Sequence, residues 1–232
     1  MGRGDGSEWW RKGIARYFDG LVYPFNATIA TDGYYPEEYS YGLNLYQNEE
    51  AAALFFHFAD SLGGWSPLDV HNWMKGHAIT PSYDTEREAL AADAALVPLW
   101  HKFELAYIDE AIKYPGGQRI LNRLGTLPPR VHTLVDLAPG ASYSNTFGVD
   151  AWKGARMVFP IKAGQTMRVW AELADGVEWS IRKQGTAAWN SGPRDRTYNA
   201  AAGASNTNYE VVASSSRNHT GGFYGKIRMT RI

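Results

Sequence analysis

The sequence predicts an α+β protein, in which an N-terminal α-helical lobe (residues 1–125) precedes a C-terminal antiparallel β-sandwich of jelly-roll-like type (residues 126–232). Three observations predict this division. Apolar residues recur at helical spacing in the first half, and short β-rich runs separated by turn signals follow in the second. The charge also changes sign, because residues 1–115 hold 17 acidic and 8 basic side chains and residues 116–232 hold 7 and 15.

Five helices are predicted in the first half from their start and stop signals. Ser7 can cap a helix that runs to about Phe18 and ends before Gly20. Pro98 either kinks the fourth helix or opens the fifth. The remaining boundaries come from N-cap, capping-box, proline and glycine signals. The four later helices are expected at residues 43–62, 66–76, 85–96 and 98–112.

Seven short strands are predicted in the second half, with glycine-containing and proline-containing turns between them. Their expected ranges are 131–137, 142–147, 155–161, 167–173, 177–182, 209–213 and 223–231. Strands of this length and spacing are typical of a sandwich of two antiparallel sheets.

Composition narrows the classes of partner. The chain has no cysteine, so no disulfide framework is possible. No run of 18 apolar residues occurs, so we expect no membrane partner. The basic residues of the second half are dispersed along the predicted strands without a binding motif, so we expect no nucleic-acid partner either.

One segment of the first predicted helix, Trp9 to Phe18, carries a recognisable motif. It resembles the W-x-x-E-G-x-A-x-Y helix of gluzincin-type zinc metallopeptidases, in which the glutamate before Gly-x-Ala is the third zinc ligand. The resemblance covers residues 7–115 and implies peptidase ancestry. Lys12 stands at the position of that glutamate, and no His-Glu-x-x-His sequence occurs anywhere in the chain.

The missing ligands decide what the resemblance implies about zinc. A catalytic zinc of this class needs two imidazoles one helical turn apart, a third ligand and an open position for water. None of the six histidines lies four residues from another. We therefore expect no zinc site and no cofactor, as in a pseudoenzyme or a fragment of a longer reading frame.

Two segments of the second half carry another resemblance. Residues 158–166 (Val-Phe-Pro-Ile-Lys-Ala-Gly-Gln-Thr) and residues 222–227 (Gly-Phe-Tyr-Gly-Lys-Ile) resemble bacterial pre-peptidase C-terminal domains. These modules are often appended to secreted peptidases. The resemblance implies a bacterial accessory module and a secreted or cell-surface location.

Candidate catalytic residues lie in an acidic, tyrosine-rich segment. Paired carboxylates can act as acid and base on a glycosidic bond, although adjacent residues on a helix do not face each other. The resemblance to gluzincins adds a tyrosine that assists an oxyanion. The candidates are Glu37, Glu38, Glu49, Glu50, Tyr41 and Tyr46.

Candidate binding residues lie in the second half. Trp152 and Trp189 have loop-like neighbours and are expected to be exposed, and with Asn190 they would form a platform for a sugar or a peptide. Two metal alternatives remain. One is a pair formed by His101 and Glu104; the other is a calcium site built from Asp136, Asp150, Glu172 and Asp175.

The leading hypothesis is a metallopeptidase-derived protein without its zinc site, which binds an extracellular peptide or polysaccharide through an aromatic-rich surface. One alternative is a metal-independent, glycosidase-like hydrolase that uses the carboxylates of residues 37–50. The other is a structural or interaction protein, held together as an oligomer by the opposed charges of its halves. The sequence leaves the oligomeric state open.

Overall fold

The computed structural model describes residues 5–22, 38–218 and 223–232. The chain divides into two compact units, Met1–Thr126 and Leu127–Ile232. Helices come first and strands follow in two mostly antiparallel sheets, so the predicted α+β class is confirmed. Within the described ranges, no helix combines the length and the apolar character needed to cross a bilayer.

The helical unit contains α-helices and short 3₁₀ turns. The α-helices are α1 (Glu8–Val22), α2 (Ala53–Ser61), α3 (Pro67–Gly76), α4 (Tyr83–Ala92) and α5 (Val97–Ile108), and 3₁₀ turns span Leu45–Gln47 and Glu49–Ala52. Ser66 caps α3 with Pro67 in its first turn, as predicted. Pro98 lies in the first turn of α5, so of the two options it opens the fifth helix.

Several helix predictions need correction. The helix α1 does not end before Gly20 but continues to Val22, and α5 ends at Ile108 rather than at residue 112. The expected helix at residues 43–62 is α-helical only from Ala53, because Glu49 adopts a left-handed backbone conformation (φ 45°) that interrupts it. The cap of α4 is Ser82 and not Thr85, since the Ser82 hydroxyl accepts from the Thr85 backbone N–H. The helix α4 ends at Ala92. The side chain of the next residue, Asp93, accepts hydrogen bonds from the backbone N–H groups of Ala95 and Leu96.

A buried charge network links α1, α3 and α4. The Glu86 side chain is fully buried and accepts hydrogen bonds from the Trp9 indole (2.6 Å) and the Thr80 hydroxyl. His77 lies between Glu86 (Nε2–Oε1 3.1 Å) and Asp93 (Nδ1–Oδ2 3.7 Å). Burial lowers the pKa of His77, but the bonds to both carboxylates outweigh it and raise the pKa to about 9. His77 is therefore a cation at neutral pH.

In residues 127–218 and 223–232, the part of the β unit that the structure describes, nine strands form two sheets. The strands are β1 (Arg130–Val131), β2 (Ser142–Val149), β3 (Lys153–Ile161), β4 (Thr166–Glu172), β5 (Val177–Lys183), β6 (Asn190–Ser191), β7 (Thr197–Ala201), β8 (Thr207–Ser215) and β9 (Phe223–Arg231). One sheet has the order β1-β3-β8-β5-β6 and the other β2-β9-β4-β7. All pairs are antiparallel except β1 with β3.

The strand predictions hold for the long strands and fail for the short ones. The expected strand at residues 131–137 is reduced to β1 and one isolated bridge at Val135. The short strands β6 and β7 were not predicted; their residues lie among glycine, proline and asparagine, which disfavour strands.

The core of the β unit lies between the two sheets. It is built from inward-facing side chains of both sheets, including Phe159, Val169, Trp179 and Ile227. On β8, Glu210 is buried and bound by Arg156 of β3 and Arg182 of β5. Because the carboxylate is bound by a guanidinium from each neighbouring strand, its charge is compensated although it is buried.

Candidate functional site

The motif helix α1 packs one face against the segment that carries the candidate carboxylates. Trp9, Trp10, Ile14 and Tyr17 of this helix are buried. Gly13 faces the 3₁₀ turn Glu49–Ala52, and a Cβ atom added to it would lie 3.1 Å from the Ala52 Cβ. The glycine of the motif therefore allows a close approach of the two backbones, which a larger side chain would push apart. This contact brings position 12 next to residues 49 and 50.

Lys12 is the centre of an ion cluster. Its Nζ lies 2.7 Å from Glu8 Oε1, 2.9 Å from Glu49 Oε2 and 3.6 Å from Glu50 Oε1. Hydrogen bonds with Glu8 and Glu49 raise the pKa of the Lys12 ammonium above its ordinary value. A protonated amine has no lone pair to donate and repels a divalent cation.

The residues present therefore do not fit the zinc that the gluzincin resemblance implies. A ligand at position 12 would require loss of a proton that three carboxylates hold in place. Within the described part of the chain, no group of three or more His, Asp or Glu side chains is arranged to hold a metal ion.

A cavity of about 330 Å³ lies beside the Lys12 cluster. Its lining combines carboxylates, an amide, a hydroxyl and apolar side chains. The lining residues are Glu38, Ser40, Leu43, Gln47, Asn48, Glu49, Ala51 and Leu124. Glu49 lines the cavity and also binds Lys12. Its left-handed backbone (φ 45°) places the carboxylate between the cavity and the ion cluster. We refer to this space as the Glu38–Glu49 cavity.

The polar groups that line the cavity differ in how fully they are bound by other protein groups. The Asn48 side chain is fully engaged, accepting from the Ser40 N–H and donating to the Ser40 and Asn44 carbonyls. Arg123 approaches Glu38 only to 3.9 Å, and its side chain is mostly exposed. The cavity thus keeps an acidic character that an incoming cation could use.

The candidate catalytic residues are divided by the structure. Glu38 and Glu49 line the same cavity. Glu50 contacts Lys12, and Tyr46 is buried against the ring of Tyr83 (centroids 5.8 Å apart). Tyr41 is 40% exposed. Glu37 lies outside the described residues, and any catalytic role of these side chains stays a prediction.

The alternative pair on α5 is buried. His101 and Glu104 are both almost inaccessible to solvent. Burial raises the pKa of Glu104 to about 8, so this carboxyl is mainly protonated at neutral pH. Burial raises the pKa of Tyr39, and the nearby charge of Glu104 raises it further. A metal shared by His101 and Glu104 stays a prediction.

The expected tryptophan platform of the β unit needs correction. Trp152 has 0% exposure, because it lies in the turn between β2 and β3 with φ 55° and its side chain is turned into the unit. Trp189 is partly exposed, with the Arg182 guanidinium 3.9 Å from its ring centroid, and Asn190 is exposed on β6. Trp152 therefore cannot present a face to a ligand beside Trp189.

The expected calcium site is not assembled from its four carboxylates. Each of the four pairs with a nearby cation, and three of these pairs are Asp150 with Lys153, Glu172 with Arg228, and Asp175 with Arg194. The fourth, Asp136, is bound by Lys162 and by the Gln165 amide. Within the described residues no such acidic group could hold a metal ion.

Comparison with known proteins gives weak structural matches. No protein-family model and no curated protein sequence matches the chain. Among solved structures, it is similar to PliG from Aeromonas hydrophila, a periplasmic inhibitor of g-type lysozyme, with 18% identity, a TM-score of 0.30, and coverage of 45% of this chain and 100% of that one. The Salmonella Typhimurium PliG matches at 16% identity with a TM-score of 0.29, over 45% of this chain and 100% of that one.

A further match is the pre-peptidase C-terminal domain of a Bacillus anthracis collagenase, at 13% identity and a TM-score of 0.27, over 47% of this chain and 100% of that one. This is the kind of module that the motifs at residues 158–166 and 222–227 predicted. The resemblance to gluzincins stays a prediction from sequence.

Proposed function

We propose that this chain is an extracellular binding protein of peptidase ancestry, which takes a peptide into the Glu38–Glu49 cavity and does not cleave it with zinc. The observation that supports the proposal most is Lys12, which is bound by three carboxylates beside that cavity. A cation with compensated charge stands where the resemblance implies a metal ligand. The cavity beside it can still hold a chain that a peptidase would have bound.

The chemistry of the cavity supports a peptide with a basic side chain. Leu43 and Leu124 are 41% and 56% exposed and offer apolar walls. Glu38 and Glu49 supply negative charge in the same space. A lysine or arginine lays its aliphatic stem on apolar surface while its charged end is bound by a carboxylate.

Peptide binding tests this proposal directly. Fluorescence anisotropy would measure the affinity of labelled lysine-containing peptides and of the same peptides with norleucine in place of lysine. The double variant Glu38→Gln/Leu124→Ser is expected to bind the lysine peptides about ten-fold more weakly, equivalent to about 1.4 kcal/mol. The matched control is Glu88→Gln/Leu68→Ser, which changes an exposed carboxylate and an exposed leucine away from the cavity. Equal affinity of both variants would contradict the proposal.

The metal content of the chain gives a second test. The protein would be incubated with zinc, passed over a desalting column and analysed for bound metal. We expect no stoichiometric zinc, because the Lys12 ammonium occupies the ligand position. One tightly held zinc per chain, together with peptide hydrolysis, would overturn the proposal.

A hydrolase remains the second candidate, because Glu38 and Glu49 line one cavity. Two carboxylates across a glycosidic bond can act as acid and base or nucleophile without a metal. This candidate predicts turnover of a nitrophenyl glycoside that is lost in both Glu38→Gln and Glu49→Gln. Wild-type protein without activity on a broad glycoside panel would eliminate it.

An interaction role is the third candidate, supported by the opposed net charges of residues 1–115 and 116–232. It predicts self-association that weakens with salt. A monomer in sedimentation at low ionic strength would count against it.

A further inference from the structure

We propose that the outward face of the four-stranded sheet β2-β9-β4-β7 binds an acidic polysaccharide, such as a chain of uronic acid sugars. This site belongs to the β unit and does not depend on the peptide cavity of the helical unit. We call it the Trp170 face, and it is defined by Arg168, Trp170, Thr197, Asn199, Lys226 and Arg228.

The alternation of side chains sets this face apart from the core. On β4, Met167, Val169 and Ala171 are buried and face the other sheet, so Arg168 and Trp170 point to the opposite side. The same alternation holds on β7, where Ala200 is buried and its neighbours at 197, 199 and 201 are exposed. The four strands therefore present one continuous polar face.

The strand register brings the side chains of this face together. Trp170 pairs with Arg228 of β9 on one side and with Thr197 of β7 on the other. Arg168 pairs with Asn199. Neighbouring strands lie about 4.8 Å apart, so Arg228 and Thr197 are the direct cross-strand neighbours of Trp170. Asn199 is its diagonal neighbour on β7.

The face carries an excess of positive charge. Arg228 is bound by Glu172 through two contacts, at 2.5 and 3.2 Å. Arg168 and Lys226 are exposed, and among residues 5–22, 38–218 and 223–232 no carboxylate lies within ion-pair distance of either. Glu172 lies on the same side of β4 and directly opposite Lys226 in the strand register. The three cations Arg168, Lys226 and Arg228 outnumber this carboxylate, so the face keeps an excess of positive charge for an anionic partner.

The combination of groups favours a sugar over other anions. An indole offers a flat apolar surface to the C–H face of a sugar ring, and the surrounding hydroxyl, amide and guanidinium groups match its hydroxyls and carboxylate. Single-stranded nucleic acids are bound by successive stacked aromatic rings, whereas Trp170 is the one aromatic side chain among the six residues that define this face. An acidic polysaccharide is therefore the partner that uses both the ring and the charges.

Binding of defined polymers to the full chain tests this proposal. Calorimetry or fluorescence would measure affinity for oligogalacturonate, for dextran as a neutral polymer, for single-stranded DNA and for vesicles with anionic lipid. We expect saturable binding of oligogalacturonate that weakens with salt, and at least ten-fold weaker binding of the other three.

Three variants locate the site. Trp170→Ala is expected to weaken oligogalacturonate binding about ten-fold, and Arg168→Gln/Lys226→Gln is expected to weaken it and to flatten its salt dependence. Trp65→Ala, which changes a partly exposed tryptophan of the helical unit, is the matched control and is expected to bind normally. Near-UV circular dichroism checks that each variant is folded. If Trp170→Ala unfolds, the surface double variant Arg168→Gln/Lys226→Gln still tests the proposal.

The proposal is wrong if oligogalacturonate fails to bind, if DNA or vesicles bind as tightly, or if the Trp170→Ala and surface double variants bind as the wild type does. None of these outcomes bears on the proposal that the Glu38–Glu49 cavity binds a peptide. In the same way, the result of the lysine-peptide test on the Glu38→Gln/Leu124→Ser variant does not bear on polysaccharide binding by the Trp170 face.

Discussion

Raising the pH from 6 to 9.5 should destabilise the helical unit through His77. The imidazole is 6% exposed and lies between Glu86 and Asp93. Burial lowers the pKa of His77, but its bonds to Asp93 and Glu86 outweigh burial and raise the pKa to about 9 from 6.5. A group whose pKa is raised on folding contributes stability below its unfolded pKa, and this contribution is lost as the pH rises through the folded pKa. The difference corresponds to about 3 kcal/mol, lost between about pH 6.5 and 9.

Urea titrations at pH 6 and pH 9.5, followed by tryptophan emission, would measure this loss. Trp73 reports locally, since its ring stacks on His77 with centroids 4.4 Å apart. His77→Gln is the control, because it removes the titrating group and should reduce the difference between the two pH values. NMR titration of the His77 ring gives the pKa directly. A midpoint at or below 6.5, or equal urea midpoints in the wild type at both pH values, would refute the reasoning.

Three further predictions concern other parts of the chain. Burial lowers the pKa of His57 from 6.5 to about 3. The free energy of unfolding of the helical unit should therefore fall by up to about 4 to 5 kcal/mol as the pH falls from 6.5 to 3. In the His57→Leu variant, the free energy of unfolding should depend less on pH over this range. Glu210→Ala leaves two guanidinium groups without their buried partner and should cost about 3 to 5 kcal/mol, seen as a lower urea midpoint of the β unit. Gly13→Leu should lower the thermal midpoint of the helical unit, since even a Cβ atom would lie 3.1 Å from the Ala52 Cβ, whereas an unchanged midpoint would contradict this packing.

Local signals in the sequence predicted the helix ends that depend on neighbouring residues. Ser66 and Pro67 start α3 as expected, because capping and a fixed proline φ act within one turn. The helix at residues 43–62 failed for the opposite reason. Its apolar spacing is helical, but side-chain bonds of Asn48 and the left-handed backbone of Glu49 break it, and neither has a periodic signature.

The candidate site was predictable only in part. The resemblance to gluzincins predicts that Lys12 stands at the position of a zinc ligand, and the structure adds that Glu8, Glu49 and Glu50 surround it. Glu8 lies one turn away on the same helix and could have been found from its spacing. The other two come from a segment 37 residues away, which only packing brings near.

The tryptophans show the same division between local and tertiary information. Loop-like neighbours predicted that Trp152 and Trp189 are exposed, yet Trp152 is buried in the turn between β2 and β3. No local pattern tells which face of its strand Trp170 lies on. In the structure, Met167 and Val169 of β4 face the core, so Trp170 faces outward.

The amino-acid sequence by itself determined the order of helices and strands and the change of charge between the halves. It also determined that a lysine stands at position 12 and that the given sequence contains no His-Glu-x-x-His motif. Each of these features depends on residue identity or short-range spacing. The tertiary structure alone decided which carboxylates surround Lys12, which side chains line the Glu38–Glu49 cavity and which face of β4 carries Trp170. These arrangements depend on contacts between segments that are distant in the chain. Burial and strand register create such contacts, and no local pattern encodes them.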